Sequence, residues 1–127
     1  MAAWTDQELS RIGAAEELQI ASVRANGELR GRTPIWVVRA GDDLYVRAAY
    51  GSASGWYRVA RSSSRARIWA GGVEKAVAVK EANVGVLEAV DGAYREKYGR
   101  RYASIVDTIN DQEHRATTLR LLPQTAA

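Results

Sequence analysis

Cysteine is absent from the chain, which removes disulfides, zinc–thiolate sites and thiol nucleophiles at once. Phenylalanine is absent too, so an aromatic core must come from the four Trp and six Tyr, whose polar atoms need partners when buried. The one histidine, His114, lies in the polar stretch from Asn110 to Arg115. With no cysteine and no paired Asp/Glu cluster at ligand spacing, the donors for a transition metal are too few. A Ser-His-Asp arrangement would have to use His114, and no serine sits in a G-x-S-x-G elbow. His114 is expected as a surface or hydrogen-bonding residue. Walker-type and dinucleotide glycine fingerprints are missing as well. No apolar run nears the roughly 18 residues of a membrane span. The first twenty residues carry Asp6, Glu8, Glu16 and Glu17, too acidic for a signal peptide. A cytoplasmic protein without membrane contact is expected.

Lysine is scarce, three against fifteen arginines, and the charge is unevenly spread. Residues 1–23 hold four acids and one base; residues 24–67 hold nine Arg against Glu28, Asp42 and Asp43; the remainder balances at eight of each. A central third with net charge +6 favours an anionic ligand, although a single strand-edge arginine can equally be a solvated surface residue. The basic residues do not gather on one helix and no recognition helix is apparent, so nucleic acid is not the expected partner. An apolar content of 46% without low-complexity tracts fits one folded domain, residues 1–123, with a frayed tail at 124–127. A chain of this length can bury about 65% of its unfolded surface.

Thr5-Asp6-Gln7-Glu8 is a capping box for a first helix ending near Gly13, with Trp4 as a possible staple. Leu18–Ala25 alternates as a strand before the Asn26-Gly27 turn. Thr33–Arg39 and Leu44–Ala49 read as a hairpin around Gly41-Asp42-Asp43. Gly51-Ser52-Ala53-Ser54-Gly55 then opens a helix whose apolar side carries Trp56, Val59 and Ala60, with Arg58 and Arg61 on the outer side. Ala66–Ala70, Gly71-Gly72 and Val73–Lys80 make a second hairpin. Asn83 caps a helix over 84–98, with Leu87, Val90, Tyr94 and Tyr98 at helical spacing and Gly99 at its end. A short helix over 102–109 and a strand over 116–122, stopped by Pro123, complete the chain. The pattern predicts a mainly β, closed or partly closed barrel of five to seven mostly antiparallel strands with three or four flanking helices.

A small-residue loop between a strand and a helix N-terminus leaves amides free to face an anion. Trp36, Tyr45, Tyr50, Trp56, Tyr57 and Trp69 fall in the same region as the basic surplus, and aromatic faces beside arginines suit a planar anionic ligand. The alternative is that a chain without Phe builds its core from these residues. Core packing, with hydroxyls at the rim, is the expected role of Tyr94, Tyr98 and Tyr102. No self-sufficient catalytic group emerges, so any demanding chemistry would come from a bound cofactor or the substrate.

The stretch TPIWVVRAGDDLYVRAAYGSASGWYRVARSSSRARIWAGGVEKAVAV resembles the FMN-binding split-barrel superfamily of the pyridoxamine-phosphate oxidase type. It is closer to the deazaflavin-dependent nitroreductase branch and to a small domain-of-unknown-function family beside it. The opening WTDQELSRIGAAEELQIAS and the closing ATTLRLLP also look like that family, so nearly the whole chain is covered. The resemblance implies a homodimer holding FMN or a deazaflavin coenzyme at the subunit boundary and acting as an oxidoreductase on a small organic molecule. By position it places Arg32 and Thr33 at the entry to the phosphate-side strand, Arg47 on the next strand and Ser52 and Ser54 in the loop. Trp56 and Tyr57 then begin the helix beneath the ring. Where oxidases of the superfamily have a basic residue just after the loop serine, this chain has Gly55-Trp56. The glycine-and-basic motif of the deazaflavin enzymes is echoed only loosely by Leu29-Arg30-Gly31-Arg32-Thr33. A cofactor-free barrel therefore stays open: a carrier, or an enzyme working by shape and general acid–base catalysis. So does a purely structural or interaction role.

Overall fold

Local signals set most element boundaries in the computed structural model, which describes residues 3–124. Helix α1, Asp6–Ala14, starts at the capping box, where the Glu8 amide donates to Thr5 Oγ1 at 3.1 Å and the Thr5 amide to Glu8 Oε1 at 3.0 Å. Trp4 is buried beside it and donates its indole N–H to the Leu121 carbonyl at 3.0 Å. Strands β1 (Leu18–Ser22), β2 (Thr33–Ile35), β3 (Val38–Ala40), β4 (Asp43–Val46), β5 (Arg65–Ala70), β6 (Val73–Glu81) and β7 (Leu119–Pro123) follow. They form one antiparallel sheet in the order β2-β1-β5-β6-β7-β4-β3.

The expected single strand over Thr33–Arg39 is in fact two. Thr33–Ile35 pairs with Leu18–Ile20 at one edge of the sheet, and Val38–Ala40 pairs with Asp43–Tyr45 at the other. Only Trp36 and Val37 join them. Three Cα steps from Ile35 to Val38 reach at most about 11 Å, so the two edges must face each other. The sheet curls into a half-barrel for that reason.

Alternation along the strands sorts the core into two bodies. Leu18, Ile20, Val37, Leu44, Val46, Ile68, Val77, Val79, Leu119 and Leu121 face the concave side, where α1 and helix α2 (Gly55–Ser63) add Leu9, Ile12, Trp56, Tyr57 and Ala60. Val38 and Tyr45 face the opposite side and pack on helix α3 (Leu87–Tyr98) and helix α4 (Ala103–Ile109) through Val90, Tyr94, Tyr98, Val106 and Ile109. Before α3 runs one 3-10 turn, Val84–Val86, where Asn83 Oδ1 accepts the Gly85 amide at 3.0 Å.

Five α-helices are present among the described residues. The one beyond expectation is α5, Gln112–Arg115, a single turn started by Asp111. It delays the last strand: the Thr117 and Thr118 amides bond to His114 and Arg115 carbonyls, and pairing begins only at Leu119. At the other end of β7 the Gln124 amide donates to the Ala76 carbonyl at 3.0 Å, while residues 125–127 of the expected tail lie outside the described residues. Among the described residues no helix is long and apolar enough to cross a membrane.

Where the sheet edges meet, α3 supplies the missing partners. The Val37 carbonyl accepts Lys97 Nζ at 2.6 Å and the Tyr98 hydroxyl at 3.2 Å. The Trp36 ring lies parallel on Tyr98, with centroids 4.0 Å apart and planes 4° apart.

Candidate functional site

Beyond β4 the chain turns through Gly51, at φ 90°, and the Ser54 amide closes the loop onto the Gly51 carbonyl at 3.1 Å. Ser54 stands at the N-cap of α2, yet its hydroxyl makes no capping bond; its Oγ is buried with no partner among the described residues. The first turn of α2 contains no acid. The amides at this helix end therefore lack a side-chain acceptor and carry the positive end of the helix dipole.

The facing wall is the β1–β2 connection. Gly27, at φ 87°, turns the chain so that the Arg24 amide donates to the Glu28 carbonyl at 2.7 Å, and the Arg30 amide returns to the Ser22 carbonyl at 2.9 Å. Arg30 is thereby carried against α2. Its guanidinium fills the space a side chain on residue 55 would use, with Nη2 standing 2.7 Å from the position of a β-carbon there. Glycine at 55 is what admits it. The basic group that the loop lacks in sequence is thus present in space, delivered from the strand connection.

Between the two walls runs a cleft of about 1060 Å³ lined by Arg24, Arg30, Arg58, Arg61 and Arg65, with Ser52 and Tyr57, and by no acidic side chain. Arg61 Nη2 pairs with Glu81 Oε1 at 2.6 Å. The other four arginines form no ion pair among the described residues.

The residues singled out from sequence disperse. Ser52 lines the cleft and Ser54 stands at the N-terminus of α2 beside it. Tyr57 lines the cleft too, but it and Trp56 are buried in the concave core, edge to face at 5.9 Å, and the Trp56 carbonyl accepts the Ser22 hydroxyl at 2.6 Å. Thr33 begins β2 opposite Ile20. Arg32 lies outside the cleft, stacked on the Trp69 ring at 3.8 Å, with Nη1 reaching Gln19 Oε1 at 3.5 Å.

Arg47 is enclosed on the far side of the sheet. Its Nε donates to Thr118 Oγ1 at 2.8 Å, Nη1 meets Asp91 Oδ1 at 2.7 Å and Asn110 Oδ1 at 2.9 Å, and Nη2 meets the Leu87 carbonyl at 3.3 Å. With 1% exposure and a partner on each nitrogen, it holds β4 to the helices. Asp91 also receives Arg115 Nε at 2.9 Å.

Arg24, Arg30, Arg58 and Arg65 were not singled out in the sequence. Their signal was the basic surplus over residues 24–67; Arg58 is exposed on the outer side of the helix, as expected, and that exposed side is also a wall of the cleft, which Arg24, Arg30 and Arg65 reach from other elements. His114 Nδ1 lies 2.7 Å from Asp111 Oδ1 on α5, away from the cleft. A second polar cluster sits at the sheet edges, where burial lowers Lys97 to about 8 against the opposing pull of Glu16. Burial likewise raises the Tyr98 hydroxyl.

Residues 8–121 match the family described as an uncharacterized protein conserved in bacteria (DUF2255). None of the curated proteins matches the chain. Among solved structures, the heme storage protein HutZ of Vibrio cholerae superposes with a TM-score of 0.65 at 15% identity, over 95% of this chain and 91% of that one. The FAD and heme binding protein of Mycobacterium smegmatis gives 0.57 at 13% identity, over 98% of this chain and 68% of that one. An F420 reductase gives 0.51 at 15% identity, over 92% of each chain. At such identities the likeness is one of fold.

Proposed function

The chain belongs to that bacterial family, and we propose that it is a cofactor-binding half-barrel whose ligand is FMN or a deazaflavin coenzyme. The observation that carries this reading is the Arg30 guanidinium seated against Gly55 at the uncapped N-terminus of α2. The Arg30 charge, the Ser52 hydroxyl and the positive end of the helix dipole meet at this end of the cleft, which is a donor set suited to a phosphate group. The residues present fit the phosphate end of such a cofactor: Arg30 and Arg58 would hold it, with the first-turn amides of α2. The names of the structural neighbours, which include an F420 reductase and an FAD and heme binding protein, support the class.

When bound, a flavin or deazaflavin supplies hydride transfer, and an oxidoreductase acting on a small organic molecule is the activity proposed. The chain's own part is to bind and orient. The cleft walls would neutralise the anionic end, and the two-residue link at Trp36–Val37 would keep the sheet curled around its core.

A second reading, a cofactor-free barrel that takes an anionic small molecule, is favoured by one fact. The Trp56 and Tyr57 rings are 6% and 3% exposed, so they offer little open face for a planar ring to stack on. Absorption spectroscopy of the purified protein, then titration with FMN and with the deazaflavin coenzyme, separates the two readings. Saturable binding of either, weakened about ten- to a hundredfold by Arg30→Ala through loss of a charge-assisted hydrogen bond, is expected. Arg32→Ala should leave the affinity unchanged. Failure of both cofactors to bind would select the cofactor-free barrel.

A further inference from the structure

We propose that Lys97 is an acylation site, where an activated acyl donor, an acyl phosphate or a thioester, converts a half-buried amine into a neutral amide. The proposal stands apart from the cleft, which none of the residues around Lys97 lines.

The chain has three lysines, and the fold treats each differently. Lys75 Nζ is held by the Glu8 carboxylate, and Lys80 is exposed, so water solvates its ammonium. Lys97 is half-buried on α3 and forms no ion pair among the described residues. Its Nζ has one acceptor there, the Val37 carbonyl at 2.6 Å, and stands 5.0 Å from the centroid of the Tyr98 ring that stacks on Trp36. Glu16, the acid that acts on it, is drawn instead to Arg101 Nη1 and the Tyr102 hydroxyl, each at 3.5 Å. Glu17, on the same link after α1, and the Tyr98 hydroxyl are the other titratable groups on this side of α3.

An ammonium carries three N–H donors, and here one of them meets an acceptor while the charge meets no carboxylate. The neutral amine suits such a site, and burial holds the group near 8 against the pull of Glu16. A lysine amine kept neutral by a partly dry setting is a nucleophile. Its lone pair forms the new N–C bond. Phosphate or thiolate departs with the electron pair of the broken C–O or C–S bond, and the nitrogen gives one proton to water. The resulting amide has one N–H, matching the Val37 acceptor, and no charge to desolvate. A neutral imine formed from an aldehyde has no N–H and would lose that bond, so the site favours acylation.

The test incubates the full chain with acetyl phosphate and, separately, with acetyl-coenzyme A over pH 6 to 10. Peptide mass spectrometry then follows each lysine at low conversion. Lys97 should acetylate at least about tenfold faster than Lys75 or Lys80 at pH 8, because about half of it is neutral there. Its rate should level off above that pH, with no such plateau at Lys80. The faster donor identifies the class. In urea-unfolded protein the three rates should converge, which assigns the selectivity to the fold.

A smaller ratio in the folded chain with both donors, or a Lys97 rate that climbs without a plateau, would overturn the proposal. So would a preference for Lys97 that persists in urea, since local sequence would then explain it. Native protein acetylated at Lys97 should also lose the rise of its thermal midpoint above pH 8, the titrating group having been removed.

Discussion

Arg47 and Lys97 are both cations drawn out of water, with different consequences. Removing Arg47 would leave Asp91 with Arg115 alone and strand the Thr118, Asn110 and Leu87 acceptors around an empty volume. Breaking a buried, hydrogen-bonded pair on one side costs about 3–5 kcal/mol. Arg47→Met should therefore lower the urea midpoint by that equivalent, while protein that remains folded keeps its anion affinity. Lys97 acts through pH. Its amine titrates near 8 in the fold and near 10.5 in the unfolded chain, so across that window the unfolded chain binds more protons. Stability then rises with pH. Tyr94 and Tyr98, raised by burial, work the other way above their ordinary value of 10.0. A thermal midpoint that climbs from pH 8 to 10 in the native chain, and does not climb in Lys97→Met, is the expected result.

At the scale of elements, the β5–β6 turn is where a strand hairpin meets α1. Gly71 adopts φ 57°, and a β-carbon there would collide with the Arg11 carbonyl; Gly72 adopts φ 83° with open space around it. Both alanine substitutions incur the left-handed backbone cost of about 1–2 kcal/mol. Gly71→Ala should cost clearly more than Gly72→Ala in chemical denaturation, the difference measuring the contact with α1. The turn itself was legible from the Gly71-Gly72 pair, and so was the capping box at Thr5, because each is written in adjacent residues. The contact of Gly71 with Arg11 was not, since nothing local encodes it. The same limit explains the arginines. Arg47 and Arg58 look alike in sequence, and only Asp91, Thr118 and Asn110, far along the chain, make one a buried tie and the other a cleft wall. The break at Trp36–Val37 was hidden because Val37 and Val38 keep strand alternation straight through it, one facing each core.

For the whole molecule, the half-barrel leaves some large apolar groups in water: Tyr50, beside the cleft loop, is 95% exposed and Val84 is 81% exposed. The homodimer implied by the split-barrel resemblance would give such groups a partner, and it is proposed here for the solution state. Sedimentation equilibrium should return twice the chain mass of 13.9 kDa. A single-chain mass across a wide concentration range would dismiss the dimer.

The two-residue link between the edge strands also bears on how the chain reaches its fold. Because β2 and β3 are tethered through Trp36 and Val37, little further chain entropy is lost in bringing the first edge to the last. The slow search belongs to β7 instead, which must find β4 through Leu121 and Leu44 and β6 through Leu121 and Val79, both distant in sequence. Non-local pairing of this kind retards folding. Changes within β7 should thus slow refolding, whereas changes at the Trp36–Tyr98 stack, a contact between the edge link and α3, should mainly hasten unfolding.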